Sequence, residues 1–135
     1  MNAMTTIGCN YMINFVFGNG FDIKTPKTLY LALFTNDPAD DDPVEVSSAG
    51  TGYERQEIQF STSQAGKTTN TNTITFPVAK KNWGVITSIG VYADLKQTEG
   101  AEAELIFYTG IPNKKSVDVN SVLSFAPGNI NFKLI

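Results

Sequence analysis

Residues 28–35 read Thr-Leu-Tyr-Leu-Ala-Leu-Phe-Thr. Successive side chains along a strand point to opposite faces. Leu29, Leu31 and Leu33 therefore share one face, and Tyr30, Ala32 and Phe34 share the other. Both faces are apolar, so the segment reads as a strand covered on both sides. One face is expected to meet the core of a sheet, and the other the N-terminal segment or another subunit.

Downstream of this strand the period stays at two. Residues 36–43 (NDPADDDP) form an acidic, turn-rich loop, because Asn, Asp and Pro each favour turns. Short extended pieces follow at Val44–Val46 and Tyr53–Phe60. The polar stretch 61–73 has a hairpin turn expected at Gln64–Lys67, and Ile74–Phe76 resumes a strand that Pro77 ends. Residues 85–92 (VITSIGVY) read as a central strand with Val85, Ile89 and Val91 on one face. Gly90 marks a bulge or a close approach of another backbone. Residues 102–109 (EAELIFYT) form the next strand, with Ala103, Leu105 and Phe107 on one face, and Pro112–Lys115 turns the chain. Val117 and Val119 continue it, Val122–Phe125 is a short strand, and Pro127-Gly128 is a tight turn. Ile130, Phe132 and Leu134 alternate with polar residues to the last position. About seven to nine short strands separated by turns predict an all-β fold, a single β-sandwich or open barrel.

Upstream, residues 7–17 (IGCNYMINFVF) place Ile7, Tyr11 and Phe15 at helical spacing, and Gly18-Asn19-Gly20 stops the run. The expected organisation is one domain over 1–135, with 1–20 as a helical N-terminal segment.

The 135 residues are 41% hydrophobic but only 17% charged, below the roughly 25% usual for globular domains. Thr, Ser and Asn cover the surface instead. The net charge is −3, and the only adjacent basic pairs, Lys80-Lys81 and Lys114-Lys115, fall in expected turns. Nucleic acid is therefore not an expected partner. Residues 1–10 lack the basic start of a signal peptide, and no apolar run reaches the roughly 18 residues of a membrane span, so no membrane association is expected.

The chain contains no histidine and a single cysteine, Cys9. That removes the commonest general base, the usual partner of a serine or cysteine nucleophile, and zinc sites built on Cys and His. Gly66-Lys67-Thr68 lacks the earlier glycine of a phosphate-binding loop. Asp37, Asp40, Asp41, Asp42 and Glu45 could offer oxygen ligands to a cation, but without the spacing of a calcium loop they read as a solvated turn. Among Glu54, Glu57, Glu102 and Glu104 nothing selects a catalytic pair. No enzyme activity, metal or cofactor is expected. Trp83 is a candidate for stacking on a sugar ring, although a loop tryptophan more often caps a core.

The order of the segments resembles a family of small bacteriophage virion structural proteins, described as head-decoration (cement) or tail-fibre-like. The resemblance is carried by Phe17-Gly18, the run Pro26–Thr35 with Asp37-Pro38, Glu45-Val46, and Gly52–Gln56. It continues through Ile74–Pro77, Trp83-Gly84, Ile86–Tyr92, Ile106–Tyr108, Val122–Phe125 and Gly128. Asp40-Asp41-Asp42 departs from the glycine-rich loop of the family and marks that loop as a local variation. The resemblance implies a β-sandwich, a structural role, oligomers and no catalytic residues to carry over.

On this basis the first expectation is a capsid decoration protein, a homotrimer that clamps the major capsid protein shell. The alternatives are a tail-fibre or baseplate component of the same fold, and a carbohydrate-binding module. The expected location is the virion, with assembly in the bacterial host cytoplasm. Tyr11, Phe15 and Phe17 in the N-terminal segment, with Leu29, Tyr30, Leu31 and Phe34 in the doubly apolar strand, are the candidate subunit or capsid contacts.

Overall fold

A computed structural model describes residues 4–18, 28–36, 42–93 and 103–133. One helix, α1 (Thr6–Phe17), precedes eight strands: β1 (Leu29–Phe34), β2 (Gln56–Ile58), β3 (Lys67–Thr69), β4 (Ile74–Thr75), β5 (Gly84–Ala93), β6 (Glu104–Val117), β7 (Ser124–Phe125) and β8 (Asn131–Lys133). An antiparallel sheet runs β2-β1-β5-β6, and two antiparallel pairs, β3-β8 and β4-β7, accompany it. The fold is all-β and sandwich-like, as the alternation predicts.

β1 is central, with β5 along its full length on one side and β2 on the other. Where β2 ends, residues 44–46 take over. Thr35 N–H donates to Val44 O (2.9 Å) and Val46 N–H to Leu33 O (3.1 Å). Leu31 and Leu33 stand opposite Val91 and Ile89 and enter the main core with Ile58, Ile74, Phe76 and Phe132, so the sheet and both strand pairs close over one apolar interior. Ala32 and Phe34 face the other way, into a second, smaller cluster with Tyr108, flanked by Tyr92 and Leu105. From Leu31 to Phe34 both faces of β1 are thus covered within the chain.

Gly90 is the floor of that second cluster. A Cβ there would lie 2.6 Å from both Phe34 Cε2 and Leu105 Cδ1, and 3.0 Å from Phe107 O. The close approach expected at Gly90 is therefore real, but it is made by side chains as well as backbone. The Phe34 ring, seated there, meets Tyr108 edge-on at 5.0 Å between centroids.

Three expectations are corrected by bulges. Pairing slips between Ile86 and Ser88, where Lys115 and Gly110 are their respective partners, so Ile111–Lys114 bulge out of β6. Pro112–Lys115 is thus not a turn between strands, and β6 runs 14 residues to Val117. The same slip puts Ile86, not Val85, beside Ile89 and Val91 in the core, and Val85 is exposed. A second slip at Val91/Tyr92 leaves Ile106 as an extra residue, which sends Leu105 to the small cluster and Phe107 to the main core. An extra residue in one strand reverses the face of everything beyond it.

Loop chemistry follows the turn residues. Gln64 and Lys67 exchange backbone hydrogen bonds across Ala65-Gly66, both at positive φ (53° and 72°), as a tight hairpin requires. Asn70 is buried with every side-chain demand met: its Nδ2 donates to Asn72 O and Ala126 O, and its Oδ1 accepts from Ile130 N–H. It ties the 126–130 turn to the start of β8.

Candidate assembly surface

α1 begins where the chain is stitched to β6. Thr5 N–H donates to Ile106 O (3.0 Å), and Met4 bridges Phe107. The Thr5 hydroxyl accepts from Gly8 N–H (3.1 Å), capping the helix, and donates to Leu105 O (2.6 Å). Gly8 is the one fully buried residue of the helix. A Cβ on it would lie 2.6 Å from Ile106 O, so glycine is what lets the helix sit against the strand backbone. Gly18, at φ 69°, ends the helix with its N–H directed at Asn14 O and Phe15 O. The sequence pattern locates this stop; the start at Thr5 and the purpose of Gly8 it does not. A glycine inside a helix costs about 1 kcal/mol, and that cost is the one signal pointing to a packing role.

Away from this seam much of the helix is exposed. Among the described elements it touches β6 alone. Ile7, Ile13, Phe15, Val16 and Phe17 are exposed, reaching 68% and 71% at Val16 and Phe17. No acid stands in its first turn and no base in its last. Tyr11, half-buried on its flank, has its phenol pushed up in pKa by burial.

The structure separates the candidate contacts. Phe15 and Phe17 are open, Tyr30 is 39% exposed, and Tyr11 and Leu29 are half-buried. Leu31 and Phe34 are fully buried by their own chain, so neither is available to a second molecule. Trp83 is also buried. Its Nε1–H donates to Thr51 O (2.9 Å) and its ring packs edge-on against Tyr53 and Phe76, so it closes the core and offers no open face to a sugar.

The acidic residues of the 37–45 loop are only partly within the described residues. Asp37, Asp40 and Asp41 lie outside the described residues, as does Glu102. Asp42 is exposed, and Glu45 is occupied. Arg55 binds it through two hydrogen bonds (2.9 and 2.8 Å), and Tyr53 Oη–H donates to the same carboxylate (2.6 Å). Arg55 also lies over the Tyr92 ring, 3.6 Å from its centroid. The Tyr53 hydroxyl in turn accepts from Leu33 N–H (3.0 Å). Burial, then the Glu45 hydrogen bond, hold the Tyr53 phenol far above its ordinary value. This network locks the 44–46 segment beside β1. Among the described residues no group of His, Cys, Asp and Glu could hold a metal.

One open groove of about 530 Å³ runs between the β6 bulge and the 125–131 segment. Ile111 and Pro112 line it with the amides of Asn113 and Asn129, and Lys115 is the one charged side chain among the described lining residues. It holds no carboxylate pair and no nucleophile with a base. No helix of the described residues is long and apolar enough to cross a membrane.

A family model described as Podophage GP4 fiber I protein gp80 matches residues 3–133. The chain belongs to that family. It is accordingly a phage virion structural protein of the tail-fibre-like kind, and the fibre side of the earlier resemblance is the side this match carries. Comparisons with curated proteins and with solved structures find no match.

Proposed function

We propose that the chain is a fibre component on the tail side of the virion, acting by binding and not by catalysis. The observation that carries this reading is the fibre family's match over nearly the whole chain, residues 3–133. Two features agree with it. The described surface offers no acid–base pair in a cleft, and the chain has no histidine to supply one. Its most apolar exposed element, α1, is suited to packing against other virion subunits.

Decoration of the capsid shell, the first expectation from the sequence, draws on the same fold and the same helix. It has less support, because the matching family is described as a fibre. A carbohydrate-binding role resting on Trp83 loses its platform, since that ring is buried. Electron microscopy of the parent virion with gold-labelled antibody against the chain tests the proposal. Label on the tail is expected, and label confined to the shell would overturn tail attachment in favour of decoration.

A further inference from the structure

Two grooves meet at Asn131. One is the groove of about 530 Å³ between the β6 bulge and the 125–131 segment. The other, of about 380 Å³, lies along β3 and residues 61–64, and Asn131 lines it as well. Each is within the size range of small-ligand sites, roughly 300–1,000 Å³. Their shared wall is held from within the chain. Asn70 fixes the 126–130 turn through Ala126 O, Gly128 N–H and Ile130 N–H. The Thr69 hydroxyl donates to Ile130 O (3.1 Å), and Asn131 Nδ2 donates to Gly128 O (3.0 Å). Walls set before binding leave less freedom to lose on binding.

The lining has a consistent chemistry. Ile111 and Pro112 offer apolar surface to the first groove. The side chains of Asn113, Asn129, Gln64 and Thr62 make no hydrogen bond among the described residues. Amides and hydroxyls both donate and accept, as the hydroxyls of a sugar ring do. Lys115 stands in one groove and Lys67 in the other. No Asp or Glu is among the described lining residues of either, in a chain with 13 acids and 10 bases. The track is thus locally positive on an acidic protein, which selects an anionic ligand.

Other anionic polymers fit less well. Two lysines, with no exposed aromatic ring among the described lining residues, are a poor match for nucleic acid. Ile111–Lys114 leave the ladder and Pro112 has no N–H, so this wall lacks the regular row of donors that an added peptide strand would use. We propose that the two grooves form one site for an acidic oligosaccharide. Its sugar rings rest on Ile111 and Pro112, its hydroxyls meet the amides, and its carboxylates meet Lys115 and Lys67. The site owes nothing to Trp83, and it does not depend on tail attachment, so its failure would leave the fibre reading intact.

Calorimetric titration of the full chain tests it. The probes are oligosaccharides of galacturonate, of alginate and of hyaluronan, with methyl-esterified oligogalacturonate and a maltose oligomer as neutral counterparts and a polyglutamate peptide as a charged one. Saturable binding of at least one carboxylated sugar is expected, weakening as salt is raised. Lys115→Gln and Lys67→Gln should each lower its affinity about tenfold, with an unchanged melting temperature. Lys81→Gln, at an exposed lysine outside both grooves, should leave it unchanged. No binding of any carboxylated sugar would overturn the proposal, as would equal affinity for the esterified chain. Binding of polyglutamate in place of the sugars would assign the grooves to an acidic peptide instead. An effect confined to one of the two lysines would overturn the joined site.

Discussion

β1 and α1 are both written almost wholly in apolar residues, yet they end in opposite situations. Every side chain from Leu31 to Phe34 is fully buried, whereas Ile13, Phe15, Val16 and Phe17 are exposed. The difference lies in what the rest of the chain brings to each. β1 has β5 on one edge, β2 and then residues 44–46 on the other, the main core over one face and the Phe34–Tyr108 cluster over the other. Among the described elements α1 has one seam, with β6. Apolar content thus says that a segment is to be covered, and the count of available faces says whether the chain covers it alone.

Truncating one aromatic in each region puts that contrast to the hardest test. Phe34→Ala empties a site over Gly90 and between two tyrosine rings, and should cost about 3–5 kcal/mol in denaturant unfolding. Phe17→Ala, measured under conditions that keep the chain monomeric, should change stability by less than about 0.5 kcal/mol. Equal losses at the two positions would mean that the chain itself covers α1.

The seam is the next place to press. Gly8→Val puts a branched side chain where a Cβ alone comes within 2.6 Å of a backbone carbonyl, so helix or strand must shift. A loss of about 1–3 kcal/mol is expected, with reduced helical circular dichroism. A Gly8→Val chain as stable as wild type would show that α1 is free to move off β6 without cost.

How much of this was legible in the sequence follows from what periodicity encodes. Alternation in Leu29–Phe34 gives a strand with two apolar faces, and the structure fills both. The helix and its stop at Gly18 follow from spacing and from a residue that accepts positive φ. The bulges at Ile86/Ser88 and Val91/Tyr92 do not show, because an inserted residue leaves the composition of a strand unchanged while reversing its faces. Hence Val85 and Ile86 exchange places, and Leu105 and Phe107 part company. The bare last turn is illegible for another reason: spacing tells which residues share a side, and only the three-dimensional neighbours tell whether anything stands opposite. Trp83, read as a possible platform, is a core cap because Thr51 O lies within reach of its indole N–H.

Alkaline pH should weaken the fold chiefly on the β1 side, where the most strongly raised tyrosine sits. The Tyr53 phenol is raised by burial and by its hydrogen bond to Glu45, so the fold holds the protonated form, while the unfolded chain releases that proton near pH 10. Stability is therefore complete below pH 10 and falls as pH rises above it, by about 1.4 kcal/mol per pH unit for one such group. Tyr53→Phe should flatten this slope in part, with Tyr11 and Tyr92, also raised, supplying the remainder. At neutral pH the same change should cost about 1–3 kcal/mol, because Leu33 N–H loses its acceptor. An unaltered slope in Tyr53→Phe would show that another group governs alkaline unfolding.

The smallest change separates the two regions most finely. The Thr5 hydroxyl is both the helix cap, through Gly8 N–H, and a tie to β6, through Leu105 O. Thr5→Ala removes both, which is worth about 1 kcal/mol at a helix N-terminus. In a helix with so little burial that loss need not spread to the sheet, since local opening draws on local contacts alone. Hydrogen exchange in the monomer should thus quicken about fivefold for the early amides of α1 while those of β5 stay unchanged, and Thr5→Ser, which keeps an hydroxyl, should restore most of the protection. Quickened exchange spread evenly over α1 and β5 would instead mean that helix and sheet open as one unit, and the contrast between them would be one of exposure only.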